Sequence, residues 1–296
     1  MNKSAWSTEK KVPTQHTAQA IVAVIAESIK QANIEMNHVV AVGVGFPGMT
    51  DPLSGVVVDA PALKWRGYEL GSRMSQLLNC PVFVENDVNC AAVGEGVFGA
   101  AKGMRDYVCM AIGTGLGGGI VANGQLIRGH RNMAGEVGYF AEVADLVQGR
   151  SVGVNQFGYL EEKVSGSYLS SFGMPSAVLF ARYVADDEEA IRIVQPFLLH
   201  LSAAIANVIS LLNPEAVILG GGVSQSMHTI LDTIRTAVSH ATPITATIRL
   251  SDLGEDAGVW GAAAYAIDGW KVSSDSKRMR MGEYYVEDQV SRQFET

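Results

Sequence analysis

Apolar side chains at Ala18, Ile21, Val22, Ile25, Ile29 and Ala32 recur every three or four residues. They form one stripe, so the spacing predicts an amphipathic helix over 14–32. Leu70–Leu78 repeats that period, and Val88–Phe98 follows it with small side chains. Short apolar runs bounded by turn residues predict strands at Val39–Val44, Pro81–Val84, Tyr107–Ile112, Ala216–Leu219 and Ala246–Leu250. A second strand after Tyr107–Ile112 runs through Val121, and Asn123-Gly124 then marks a type I′ hairpin. Asp51–Gly55 reads as a turn before Val56–Val58. Asp187–Leu212 is a long helical stretch whose Pro196 predicts a kink or restart. Further helices are predicted from about Met227 to Ser239 and over Ala257–Ile267.

Strands alternating with helices indicate a parallel sheet, and the Asn-Gly hairpin adds an antiparallel part. No repeat of solenoid or propeller length is visible. Small and charged residues at Ala100–Asp106 mark the most plausible domain boundary. From Lys271 onward the chain is charged and aperiodic, as in a mobile tail.

Composition narrows the class of function. The 296 residues are 48% apolar and 18% charged, which excludes a disordered chain. No run approaches the ~18 uninterrupted apolar residues a bilayer span needs. Residues 1–12 are polar, without the apolar core of a secretory signal. Cys80, Cys90 and Cys109 form no Cys-x-x-Cys pair, as in a reduced, cytoplasmic protein without a cysteine-based zinc site. A formal net charge of −8 argues against nucleic-acid and anionic-membrane partners. The 32 glycines exceed the roughly 21 that average usage gives, and they gather where chemistry is plausible.

Gly113-Thr114-Gly115-Leu116-Gly117-Gly118 formally matches Gly-x-Gly-x-x-Gly. A dinucleotide site needs that motif to open a helix, yet Ile120–Gly124 continues as a hairpin. Gly43–Gly48 fails the same test by running into a turn, so a nicotinamide-dependent oxidoreductase is excluded. A glycine-dense hairpin can still offer backbone N–H groups to an anion, with the Thr114 hydroxyl beside them. A tight hairpin without a ligand satisfies the same pattern. Gly220-Gly221-Gly222 lies between an apolar strand and a helix, where open α/β sheets bind ligands or where crowding alone requires glycine. Glu85-Asn86-Asp87 ends a strand. Asp87 there is either the N-cap of the following helix or a general base aimed into a cleft. Asn86 offers a donor and an acceptor suited to sugar hydroxyls. Glu136 and Glu161 each stand near glycines, and two converging carboxylates suit a polyol.

The constellation is more specific than its parts. ENDVNCAAVGEG, IGTGLGGGI, AGEVGY and NPEAVILGGGVS, in this order, resemble the ROK family of sugar kinases and regulators over roughly residues 12–268. The resemblance implies an α/β protein of the actin-like ATPase (ribonuclease H-like) fold, with two α/β domains around a cleft. These would be residues 1–105, with a last helix at 257–268 packing back on them, and residues 106–256. It implies transfer of the ATP γ-phosphoryl group to a hexose hydroxyl, usually the 6-hydroxyl. Asp87 looks like the base, and Asn86, Glu136 and Glu161 like sugar ligands. Gly113, Thr114 and Gly115 resemble a phosphate loop, and Gly220, Gly221 and Gly222 the adenosine-side loop. Mg2+ would arrive with ATP, held by phosphate oxygens and water. A cytoplasmic homodimer is the implied state.

Three departures accompany the resemblance. Tyr139 stands where many relatives have a zinc-binding His, and Val154–Tyr159 contains no cysteine, so no zinc is expected. Tyr139 would face the sugar instead, as in the zinc-less β-glucoside kinase branch. The Asp-x-Gly-Gly-Thr phosphate loop that opens the family does not occur in this sequence, and Lys11–Thr14 resembles the segment that follows it. The first domain would then lack its opening strands. The alternative is a catalytically impaired, sugar-binding or regulatory relative without a DNA-binding domain. The segment 271–296 matches nothing in the family.

Overall fold

A computed structural model describes residues 12–13, 16–60, 63–149, 151–153, 156–269 and 271. Residues 1–11 and 272–296 lie outside the described residues, and with them the expectations about the opening segment and the tail.

Helix α1 (Ala18–Gln31) starts where the Thr17 hydroxyl accepts from the Ala20 N–H. Its stripe of Ala18, Ile21, Val22 and Ile25 packs on a cluster that includes Val57, Leu70, Met74 and Val84. Strand β1 is Val42–Phe46 rather than Val39–Val44. A 3-10 turn at Met36–His38 delays its start. It runs on through Gly45 and Phe46 because its parallel partner does, with Val42 opposite Val82 and Phe46 opposite Asn86. Strands β2 (Met49–Asp51), β3 (Val56–Ala60) and β4 (Trp65–Tyr68) form an antiparallel sheet. The predicted 51–55 turn joins the first two, and Trp65 stacks on Phe46 and Tyr68 at 5.1 and 4.1 Å. Helix α2 (Leu70–Leu78) matches its predicted bounds.

Strand β5 (Val82–Asn86) takes Glu85 and Asn86 into the sheet, two residues beyond the apolar run. Helix α3 (Asp87–Phe98) follows without a break. Beyond it lies a five-stranded sheet in the order β10-β9-β6-β7-β8, built from β6 (Tyr107–Ile112), β7 (Leu116–Ala122), β8 (Gln125–Ile127), β9 (Ala216–Gly220) and β10 (Thr247–Leu250). The first three are an antiparallel meander, while β9 and β10 join parallel to β6. Asn123 and Gly124 both have positive φ, 53° and 75°, as the type I′ turn requires.

Among the described residues between the meander and β9, three short helices escape the sequence reading: α4 (Val143–Val147), α5 (Gly166–Ser170) and α6 (Ser176–Val184). Helix α7 (Glu188–Leu212) runs on through Pro196 without the restart that was one of the two expectations there. Its buried stripe of Ile193, Val194, Phe197, Leu198 and Leu201 passes directly across the proline and holds the helix in one piece. Burying a large aliphatic or aromatic side chain contributes ~1.5–3 kcal/mol, which outweighs one missing intrahelical hydrogen bond. By length and composition α7 could cross a membrane, but its apolar side is the centre of this core. Helix α8 (Leu231–Ala241) begins four residues later than predicted. A 3-10 turn occupies Ser224–Thr229, and Ile230 at φ −114°, ψ 0° separates it from the helix.

A last helix, α9 (257–269), packs against β1 and α3 so closely that only glycine fits. A Cβ on Gly43 would meet the Ala262 carbonyl, and one on Gly261 the Cys90 carbonyl. The chain thus has the actin-like ATPase fold, a meander extended by parallel strands.

Candidate active site

The carboxyl ends of β1, β5, β6, β9 and β10 open on one cleft of about 770 Å3. Open α/β sheets bind ligands at that end of their strands. All eleven residues singled out in the sequence line this cleft: Asn86, Asp87, Gly113, Thr114, Gly115, Glu136, Tyr139, Glu161, Gly220, Gly221 and Gly222. It also takes in Asp59, Asn132, Met133, Ser251 and Glu255, which carry no motif to single them out.

Asn86, not Asp87, is the N-cap of α3. Its Oδ1 accepts from the Val88 and Asn89 N–H groups at 2.9 and 3.0 Å, and its Nδ2 donates to the Gly48 carbonyl at 3.1 Å. The capping alternative for Asp87 is corrected accordingly. β5 carries extended backbone two residues further than the apolar run, so the cap falls on Asn86. One amide proton of Asn86 remains for a ligand. Asp87 is half-buried, and its Oδ1 accepts from the Val88 N–H at 2.9 Å. Burial deep in the cleft pushes its carboxyl above the ordinary aspartate value, and backbone hydrogen bonding opposes this only in part.

Beneath the pair, Glu85 is 1% exposed. It accepts from Asn89 Nδ2 at 3.0 Å and from Arg128 Nε at 2.8 Å, so its charge is paired. Arg128 lies just beyond β8 and also stands over the Tyr265 ring, 5.5 Å from its centroid. This half-buried bridge ties β5 to the meander and to α9. Ala-Gly-Glu draws the eye in the sequence and Arg128, six residues earlier, does not.

Glu161 is fixed by backbone. Its Oε1 accepts from the Leu116 N–H at 2.9 Å and its Oε2 from the Gly158 N–H at 3.1 Å. Each oxygen keeps a lone pair for another donor. Gly115 has no room for a side chain because its Cβ would collide with Glu161 Oε1. The phosphate-loop candidate and the polyol candidate are therefore in direct contact. Glu136 is raised above the usual carboxylate range by burial, then by Glu161, then by Asp87. The Tyr139 phenol is raised by burial and by Glu136 and Glu161, so it stays protonated at neutral pH.

The two glycine loops differ. At Gly113 a Cβ would meet nothing within 4 Å, so the missing side chain leaves open cleft. Gly113 N–H donates to the Gly115 carbonyl, closing the β6–β7 turn, and the N-terminus of α5 braces it through Gly166 N–H to the Gly113 carbonyl at 2.7 Å. Gly221 has φ +82°, and a Cβ there would lie 2.5 Å from the Ile112 carbonyl oxygen. Glycine is needed at 221 for the fold and at 113 for the space. Such a backbone-lined space fits the phosphates of a nucleotide. Among the described residues no group of three His, Cys, Asp or Glu is placed to hold a metal. Residues 154 and 155 of the segment considered for zinc are outside the described residues.

The profile of the ROK family matches residues 2–269. The chain belongs to the ROK family. Among its ROK relatives, a glucokinase of Halalkalibacterium halodurans is 32% identical over 271 residues, 83% of this chain and 80% of that protein. An N-acetyl-D-glucosamine kinase of Pectobacterium atrosepticum is 28% identical, over 86% of this chain and 90% of its own. The solved structure of a ROK family glucokinase from Streptomyces griseus, in complex with glucose and AMPPNP, superposes with a TM-score of 0.70 at 31% identity. It covers 87% of this chain and 90% of that one.

Proposed function

We propose that this ROK protein is a sugar kinase that transfers the γ-phosphoryl group of ATP to the 6-hydroxyl of a hexose or β-glucoside, with Asp87 as general base. The observation that carries this reading is one cleft lined by Asp87, by the carboxylates Glu136 and Glu161 and by the glycine loops at 113–115 and 220–222. The glucokinase and N-acetylglucosamine kinase relatives support phosphorylation of a sugar.

Each part has a physical task. Glu136, Glu161 and the free amide proton of Asn86 accept from and donate to sugar hydroxyls, holding the ring so that one hydroxyl lies against Asp87. Tyr139 sets an aromatic ring beside the two glutamates, which suits the apolar face of a pyranose or the second ring of a glycoside. As the sugar oxygen bonds to the γ-phosphorus, the bond from that phosphorus to the bridging oxygen of ADP breaks. The hydroxyl proton passes to Asp87. A base raised by burial accepts that proton more readily than an ordinary aspartate, and general-base help is worth ~10²–10⁴-fold. Phosphoryl transfer otherwise depends on positioning and charge neutralisation, which the backbone N–H groups of the glycine loops provide. Mg2+ accompanies ATP and neutralises phosphate charge when bound.

The same reading includes a cytoplasmic homodimer and two lobes meeting at the cleft, residues 1–105 with helix 257–268 and residues 106–256. The test is product analysis by phosphorus and carbon NMR after incubation with Mg-ATP and glucose, N-acetylglucosamine, mannose or a β-glucoside. A 6-phosphate is the expected product. A phosphate on another carbon, or none with any sugar, contradicts the proposal.

A further inference from the structure

Tyr139 and Glu161 lie at the two ends of a 21-residue excursion of the chain that begins after the 3-10 turn Val137–Tyr139. Its two ends are anchored on the main core by Phe140 and Leu160, but the described residues between them add no buried apolar side chain. Among its described residues between 141 and 157, only Asp145 is buried. Val143, Leu146 and Val147 of α4 are 78%, 67% and 81% exposed. Charge ties that middle stretch to the rest of the chain. Lys163, two residues beyond Glu161, donates from Nζ to both Asp145 oxygens, at 2.9 and 3.0 Å, and to Glu142 Oε2 at 3.1 Å. Glu142 Oε1 in turn pairs with Nδ1 of His200 at 2.6 Å, and His200 is carried by the core helix α7. Asp145 also accepts from the Glu142 N–H at 2.8 Å, closing a capping box on α4.

The two ends then meet at a single carbonyl. Gly138 O accepts from the N–H groups of both Leu160 and Glu161, at 3.1 Å each. A slip of the 158–163 turn would therefore shift Glu161 against Tyr139 and pull it away from the Leu116 N–H. We infer that Lys163, clamped by Asp145 and by the Glu142 that His200 holds, is a positioning residue for the sugar-side half of the cleft, keeping Glu161 and Tyr139 in fixed register. Exposed ion pairs contribute little, but Asp145 is 7% exposed at its side chain and would be left as an unpaired buried charge without Lys163. Lys163 touches neither sugar nor nucleotide in this scheme and acts only through Glu161 and Tyr139.

This inference rests on the sugar-kinase reading, and the test separates the two. Lys163→Met, Lys163→Arg and the milder Glu142→Gln are compared with the wild type for sugar affinity by calorimetry without nucleotide. Steady-state constants and thermal midpoint are measured on the same proteins. A displaced binding carboxylate costs on the order of tenfold or more. Sugar Kd and KM are therefore expected to rise about tenfold in Lys163→Met. The KM for ATP should stay within about twofold, and Lys163→Arg should recover most of the loss. Glu142→Gln, which keeps the Lys163–Asp145 pair, should fall between. Equal sugar affinity in Lys163→Met and wild type overturns this inference alone. Parallel losses for sugar and ATP that track a lowered thermal midpoint overturn it too, because they mark a merely structural lysine. A wild-type protein that binds no sugar overturns the functional reading and this inference with it.

Discussion

Asn86 caps helix α3 with both lone pairs of its side-chain oxygen, and Asp87, the next residue, is thereby relieved of the cap and stands in the cleft with a carboxyl raised by burial. Adjacent residues at one strand end thus divide two tasks that a single aspartate would otherwise combine. Asp87→Asn should lower sugar-dependent turnover by ~10²–10⁴-fold while sugar affinity persists. Because burial disfavours the ionised carboxylate, the folded protein takes up this proton more readily than the unfolded chain. Ionised Asp87 therefore costs stability above its raised pKa, and that cost disappears as pH falls through it. Asp87→Asn should then have a thermal midpoint at pH 7 no lower than wild type, measured by scanning calorimetry. A large drop would show that the ionised carboxylate is structural.

The same shift sets the acid limb of the pH–rate profile. The base must be ionised, so kcat/KM should decline on acidification with an apparent pKa above that of an ordinary aspartate. Asn86→Asp keeps a capping oxygen but adds a negative charge next to Asp87, so it should move the limb to higher pH. Asn86→Ala should instead lose ~0.5–2 kcal/mol of stability, read from denaturant unfolding. An unmoved limb in Asn86→Asp would contradict Asp87 as the titrating base.

How much of this was legible in the sequence varies with the physical signal. α2 has the predicted bounds because its periodic stripe packs on one side, and β6 because its continuous apolar run is buried on both faces. β1 and β5 differ at their ends because their parallel pairing, a long-range contact, decides where each strand stops. α4 escapes notice because its apolar residues face outward and only Asp145 is buried. The candidate site residues were visible because several glycine and acid motifs occur together in one order along the chain. Their hydrogen bonds were not visible, since Asn86 to Gly48 spans 38 residues and Glu161 to Leu116 spans 45.

Glu161→Gln tests the carboxylate that joins the two halves of the cleft. A glutamine has one acceptor oxygen, so either the Leu116 or the Gly158 N–H must face an amide NH2 group. The expected results are a loss of ~1–3 kcal/mol in stability and a weaker sugar complex. Unchanged unfolding by urea would show that the two backbone bonds are not both needed.

The glycine loops should respond in opposite ways. Gly113→Ala places a methyl in open cleft, so it should leave the thermal midpoint unchanged and raise the KM for ATP. Gly221→Ala forces a side chain onto φ +82° and against the Ile112 carbonyl. It should destabilise the protein by more than ~1 kcal/mol. Paired melting curves and nucleotide titrations decide this, and a Gly113→Ala protein that melts early but binds ATP normally would reverse the assignment.

The measurement that bears most directly on the central claim is Mg-ATP-dependent ADP release, with and without glucose, N-acetylglucosamine or a β-glucoside, for the wild type and Asp87→Asn in parallel. The expected result is sugar-dependent release by the wild type that falls at least about a hundredfold in Asp87→Asn. A folded wild-type protein that binds sugar yet releases no ADP in response to it, or a mutant as active as the wild type, would contradict it.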